Sequence, residues 1–170
     1  SNQIDYSWTY MDAGQAYHSR YIDYDQGNLA GNWARIESTY ITAGVLDYQW
    51  TYNDAAQPVH SVYNEIDQAG AGTWSSIQSS YSTPGVLDFQ WTYYDVGYPV
   101  HSAFINYDQT GTNTWTTINQ YYTSPGVMDY QWTYYDAGQT LHSQFTDYDQ
   151  AGANTWSSMQ TGYSAVNVVD

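Results

Sequence analysis

The clearest pattern in the chain is strict alternation. In Leu46-Asp47-Tyr48-Gln49-Trp50-Thr51-Tyr52, the large apolar residues take every second place and polar residues fill the gaps. Side chains of an extended strand point alternately to its two faces, so this is the signature of a strand with one aromatic face. Leu87, Phe89, Trp91 and Tyr93 repeat it. A second run places Val59, Ser61 and Tyr63 on one side, with His60 and Val62 on the other. A third begins at Trp74 and continues through Ile77 to Tyr81, with Trp74 on the face opposite those two. Turn chemistry separates the runs: Asp12-Ala13-Gly14, Asp95-Val96-Gly97 and Asp136-Ala137-Gly138 suit hairpins, as do Thr83-Pro84-Gly85 and Ser124-Pro125-Gly126. No segment has the 3.6-residue period of a helix. The pattern predicts an all-β chain with at least ten antiparallel strands and no helix longer than one turn. Trp8, Trp50, Trp91 and Trp132 fall on the aromatic stripe and are expected to be mostly buried.

The pattern also repeats. His18, His60, His101 and His142 recur at intervals of 41 or 42 residues, as do Trp8, Trp50, Trp91 and Trp132. A second tryptophan series, Trp33, Trp74, Trp115 and Trp156, recurs every 41 residues. The chain is therefore four tandem copies, approximately 3–44, 45–85, 86–126 and 127–167, read as a single repeat domain over 1–170 with about three strands per copy. One extra residue falls between Asp25 and Trp33, which marks the D-Q-x-G segment as a surface loop. The first copy alone carries Arg20, Arg35 and Glu37, as a solubilising cap on an open array would. Val168-Val169-Asp170 aligns with Val86-Leu87-Asp88, the opening of a further copy. Three strands per copy suit an antiparallel meander, open or rolled into a barrel. A four-bladed propeller is the alternative, although its blades want four strands.

Composition narrows the function. Seventeen acids against two arginines give a net charge of −15, which opposes binding to nucleic-acid backbones or anionic lipid and leaves cations and neutral ligands such as glycans. Aromatics make up 19% of the chain, enough buried area to offset the entropy of ordering, so disorder is not expected despite the charge. The absence of cysteine removes disulfides, thiolate metal sites and cysteine nucleophiles. No apolar run approaches the length of a membrane span, and no leader pattern is present. An acidic, cysteine-free composition rich in Tyr, Asn, Gln, Ser, Thr and Gly suggests a secreted protein.

Trp132-Thr133-Tyr134-Tyr135-Asp136-Ala137-Gly138 followed by Tyr148-Asp149-Gln150-Ala151-Gly152 resembles the YD-type tandem repeats of bacterial Rhs-like and type I-secreted proteins. That resemblance implies extracellular β-structure that encloses, spaces or binds without catalysis. The arginine that typically follows the glycine is absent, as in Gly138-Gln139-Thr140-Leu141, which speaks against a Rhs-type shell. The aromatic spacing is also similar to repeats that bind choline or glucan on cell surfaces, whose aromatics form ligand cradles between hairpins.

Three residue sets are candidates for chemistry. The four histidines could form a metal cluster only if a closed ring gathered them; the simpler reading is a His-Ser pair making hydrogen bonds. Asp23 and Asp25, Glu65 and Asp67, and Asp147 and Asp149 offer alternate carboxylates beside a glycine turn, a donor set suited to Ca²⁺, whereas copy three breaks the pattern with Asn106. The simpler reading is that the aspartate caps its own turn. Trp33, Trp74, Trp115 and Trp156 stand at the exit of that acidic loop, where an indole face beside carboxylates and amides suits a sugar. No residue is assigned a catalytic role: every candidate occurs four times, and catalytic sites are normally unique whereas binding sites multiply in repeats. The expectation is a secreted, non-enzymatic module that binds glycan or cell-surface polysaccharide at each copy. The alternative is a structural spacer or shell segment of a larger secreted protein, stabilised by calcium.

Overall fold

The computed structural model describes residues 4–26 and 31–170, and the extra residue of copy one falls in a stretch that includes 27–30, outside the described residues. Thirteen strands and no helix are found among the described residues. The chain divides into two compact units, Ser1–Leu87 and Asp88–Asp170. The first holds β1 (Tyr6–Tyr10), β2 (Ser19–Tyr24), β3 (Trp33–Thr42), β4 (Val45–Asn53), β5 (Ser61–Ile66), β6 (Trp74–Thr83) and the start of β7 (Val86–Tyr94). The second holds the rest of β7, then β8 (Ser102–Tyr107), β9 (Trp115–Ser124), β10 (Val127–Tyr135), β11 (Ser143–Tyr148), β12 (Ser158–Ala165) and β13 (Val168–Val169).

Within each unit the strands lie side by side in sequence order and pair antiparallel, so each is a meander. Among the described residues β1 pairs only with β2 and β13 only with β12, so neither unit closes on itself as a barrel would. The propeller is excluded by the strands that join copies. Blades are separate sheets, yet β3 pairs with β4 across one copy boundary and β9 with β10 across another. A glycine turn makes each of those joints: Gly44, after Ala43, stands at φ 78° and Gly126, after Pro125, at φ 77°, the left-handed geometry that a type II turn demands at its third position. Asn167, the same position one copy later, holds φ 61° without being glycine; asparagine is among the few residues that tolerate it.

Residues paired across strands share a face, and neighbours along a strand do not. Trp8 pairs with Tyr21, Tyr21 with Ser38, and Ser38 with Gln49. Gln49 therefore shares the face of Trp8, and Trp50 lies on the opposite one. In the second unit the path runs Trp91, Phe104, Gln120, Gln131, so Trp132 again faces away from Trp91. Geometry requires this. Three strands are an odd number, so each copy starts antiparallel to the one before. A chiral unit that reverses strand direction while advancing along the sheet can only be rotated half a turn about the direction of advance, which exchanges the faces as well. Successive copies in a unit are thus related by a twofold screw.

One expectation is overturned. Trp50, Trp91 and Trp132 are only half-buried, and Trp8, on a strand with a partner on one side only, is 44% exposed. The alternation correctly marks an aromatic face, but among the described residues no second layer of strands or helices covers it within either unit. The rings bury each other instead. Trp50 stacks on Tyr52 at 5.8 Å and meets Tyr63 at 4.7 Å and Tyr81 at 5.4 Å. Such ring pairs each contribute about 0.5–1.5 kcal/mol beyond the area they cover. Apart from Glu37, the residues that disappear from solvent are small ones, serines and threonines above all. Ser61 pairs with both Tyr52 and Tyr81, Ser79 pairs with Tyr63, and each is 3% exposed. Ala103, at 6%, is the one buried hydrophobic residue among those described.

Candidate functional site

Each copy carries its D-Q loop between its second and third strands. The aspartate organises the loop. Asp67 Oδ1 accepts the Ala71 N–H (3.2 Å) and Oδ2 the Gly72 N–H (2.6 Å). Asp149 repeats this with Ala153 (3.1 Å) and Asn154 (2.6 Å). In copy three Asp108 Oδ2 accepts the Asn113 N–H at 2.7 Å, while Oδ1 accepts the Thr110 hydroxyl at 3.0 Å. The donated backbone N–H groups favour the charged carboxylate and hold the pKa of Asp67 and Asp108 below the usual aspartate value. The glutamine of the motif ties the loop to the sheet: the Gln68 side-chain amide donates to Leu46 O at 2.6 Å, bridging β5 to reach β4, and Gln150 donates equivalently to Met128 O. This anchor explains why Asp and Gln recur together, and sequence pattern alone did not reveal it.

The proposed metal carboxylates divide between two settings. Asp23, Glu65 and Asp147 lie on strands, paired with Tyr6, Tyr48 and Tyr130, respectively. Asp67 and Asp149 sit in the loop with both oxygens engaged as caps. Asp25 leaves the end of β2, its N–H bonded to Ala34 O at 3.0 Å. Among the described residues no three histidine or acidic groups converge as an ion-holding cluster. The histidines behave as the simpler reading expected: each Nδ1 is hydrogen-bonded to the hydroxyl of the next serine, at 3.1 Å in the first three copies and 3.3 Å in the fourth.

Trp33, Trp74, Trp115 and Trp156 are all half-buried. Trp74 stands against its own loop: a Cβ placed on Gly72 would lie 2.9 Å from the indole Nε1 and 3.1 Å from Asp67 Oδ2, so ring and carboxylate close on the backbone there, whereas copies three and four carry Asn113 and Asn154 at the same place. In copy four the arrangement opens into a groove of about 550 Å³ where Trp156 meets Asp147, Asp149, Gln150 and Asn154, closed on the far side by Thr123, Val127 and Asp129. Asp129 belongs to the D-[YF]-x-W motif, whose aspartate was not singled out from sequence. The fourfold recurrence of that acid was the signal available.

Two other cavities lie on the aromatic faces. One of about 310 Å³ runs beside Trp132, Tyr134, His142 and Tyr163. Another, of about 240 Å³, lies where Trp50, Tyr48 and Tyr52 meet Arg20, Glu37 and Thr39. There Arg20 hydrogen-bonds to Glu37, Arg35 Nε lies 3.0 Å from Glu37 Oε1, and the Arg35 guanidinium rests 4.2 Å over the Tyr52 ring. The Arg35 contact is close enough for an ion pair, but Nε has no aligned hydrogen-bond acceptor.

No known protein family, curated protein or solved structure matches this chain.

Proposed function

We propose that the chain is a secreted, non-enzymatic β-repeat module that binds neutral carbohydrate at its loop tryptophans. The copy-four groove carries this reading, because it is lined by the Trp156 indole together with the carboxylates Asp129 and Asp147 and the Asn154 amide, beside the loop-capping Asp149 and the anchoring Gln150. Sugars present apolar C–H faces to rings and hydroxyls to such acceptors and donors. The fourfold repetition adds a reason for weak individual sites to suffice: stacking and a few hydrogen bonds give affinity on the order of millimolar, and linked sites gain through effective concentration. The YD-type and glucan-binding resemblances support the same extracellular, non-catalytic role. Calcium remains a second part of the proposal, resting on the paired acids Asp147 and Asp149 at one groove.

A glycan array probed with and without Ca²⁺ tests both parts. The wild type should bind neutral polymers, and Trp74→Ala should lower binding to the polymer far more than to its monosaccharide. Absence of any glycan signal, or unfolding of Trp74→Ala, favours a spacer or shell segment. An identical melting curve in calcium and in EDTA at matched ionic strength removes calcium.

A further inference from the structure

Resting on that reading, we infer that the second unit is a two-sided binder that bridges separate strands of a neutral polysaccharide. The loop of copy three joins β8 to β9, at the end of the sheet where β10 finishes: Asp136 N, just past β10, bonds to Thr114 O in that loop at 3.1 Å. The loop of copy four joins β11 to β12, and its groove includes Val127, where β10 begins. The two sites thus stand at opposite ends of a nine-residue strand, about 30 Å apart at roughly 3.3 Å per residue. The twofold screw that exchanges ends also exchanges faces, so Trp115 and Trp156 are turned away from each other. A single flat surface can meet one of them and leaves the other free. The net charge of −15 and the carboxylates Asp129, Asp147 and Asp149 at the groove repel polyanions and accept hydroxyls, which commits the occupant to an uncharged, hydroxyl-rich polymer.

The test uses the full chain on films of cellulose, starch and galactomannan, with the fluorescein-labelled soluble polymer of the same type added afterwards. W33A/W74A keeps both sites of the second unit; W33A/W74A/W115A keeps only Trp156. Leucine in place of alanine fills the volume without a ring face and serves if alanine unfolds the chain. Both variants should bind the film with affinities within about twofold, since the second site cannot reach it. Only the two-site variant should then capture labelled polymer. A many-fold gain in film affinity from the second site, with no capture, overturns the inference while leaving carbohydrate binding intact. If no film retains the wild type, both fall together.

Discussion

Each unit contains one described seam between two copies, β3 with β4 in the first and β9 with β10 in the second, and the two are built with opposite chemistry. In the first unit the rings of β4 abut Arg20, Arg35, Glu37 and Thr39, an ion-pair cluster with one guanidinium over Tyr52. In the second unit the equivalent positions are Ala103, Thr117, Asn119 and Tyr121, and Tyr121 stacks on Tyr130 at 4.4 Å. The backbone register is the same in both: Glu37 pairs with Trp50, and Asn119 with Trp132. Register is therefore set by the turns and the strand pattern, while the seam only has to be filled. Charge with hydrogen bonds can do this, and so can stacked phenols.

The largest effect should come from what the two units share. Trp50→Ala and Trp132→Ala each remove a ring that meets three others, and each should cost about 2 kcal/mol, below the full-core range because the rings are half-exposed. Urea unfolding measures both, and a marked difference between them would show that the seam chemistry supports the cluster.

Next in size are the seams themselves. Glu37→Ala leaves Arg20 and Arg35 facing each other without a counter-charge and should cost about 1–2 kcal/mol, discounted because the two arginine side chains are 41% and 43% exposed. Asn119→Ala, its equivalent, should stay within about 0.5 kcal/mol. Raising the salt to about 1 M should speed amide exchange around β3 and leave β9 unchanged, since only the first seam depends on charge.

The smallest effects concern pH. Burial first, then the carboxylate of Glu65, push Tyr63 up to about 12, whereas Phe104 and Phe145 hold its place in the second unit and cannot ionise. The unfolded phenol ionises near pH 10, so Tyr63 costs stability as the pH rises from there through about 12. Tyr63→Phe should flatten that part of the alkaline unfolding curve. At the acid end Asp67 and Asp108 act alike in the two units. Their lowered pKa values stabilise the folded chain above the unfolded aspartate value near 3.9, and that contribution disappears as pH falls through the folded value.

Much of this was legible in the sequence. Period-2 alternation located β4 to within a residue at each end, and the Pro-Gly pairs at 84–85 and 125–126 located two of the joints. The open aromatic face was not legible, because an alternating stripe records that one side is apolar and says nothing of whether another layer covers it. The exchange of faces follows from an odd strand count, but confirming it requires the bulges that shift register near Thr42 and Tyr130, which depend on turn geometry. At the site, the tryptophan beside the acidic loop was legible from spacing, but its face was not: alternation sets it opposite the isoleucine three residues on, whereas a bulge just after Trp33 and Trp115 turns each onto the face of Ile36 and Ile118. The grip of Gln68 on Leu46 O was not legible, because it joins a side chain to a backbone carbonyl 22 residues away, which alternation and turn signals do not encode. Since the chain has no cysteine, Q120C/Q131C should form a disulfide across β9 and β10 and Q120C/W132C should not, which checks the register chemically.

Retention on insoluble neutral polysaccharide tests the functional account most directly, with the wild type compared against W33L/W74L/W115L/W156L. The account predicts that the wild type is retained and that the fourfold variant, folded by circular dichroism, passes through unretained. A folded variant that binds as well as the wild type would contradict it, because the loop tryptophans would then not be the site.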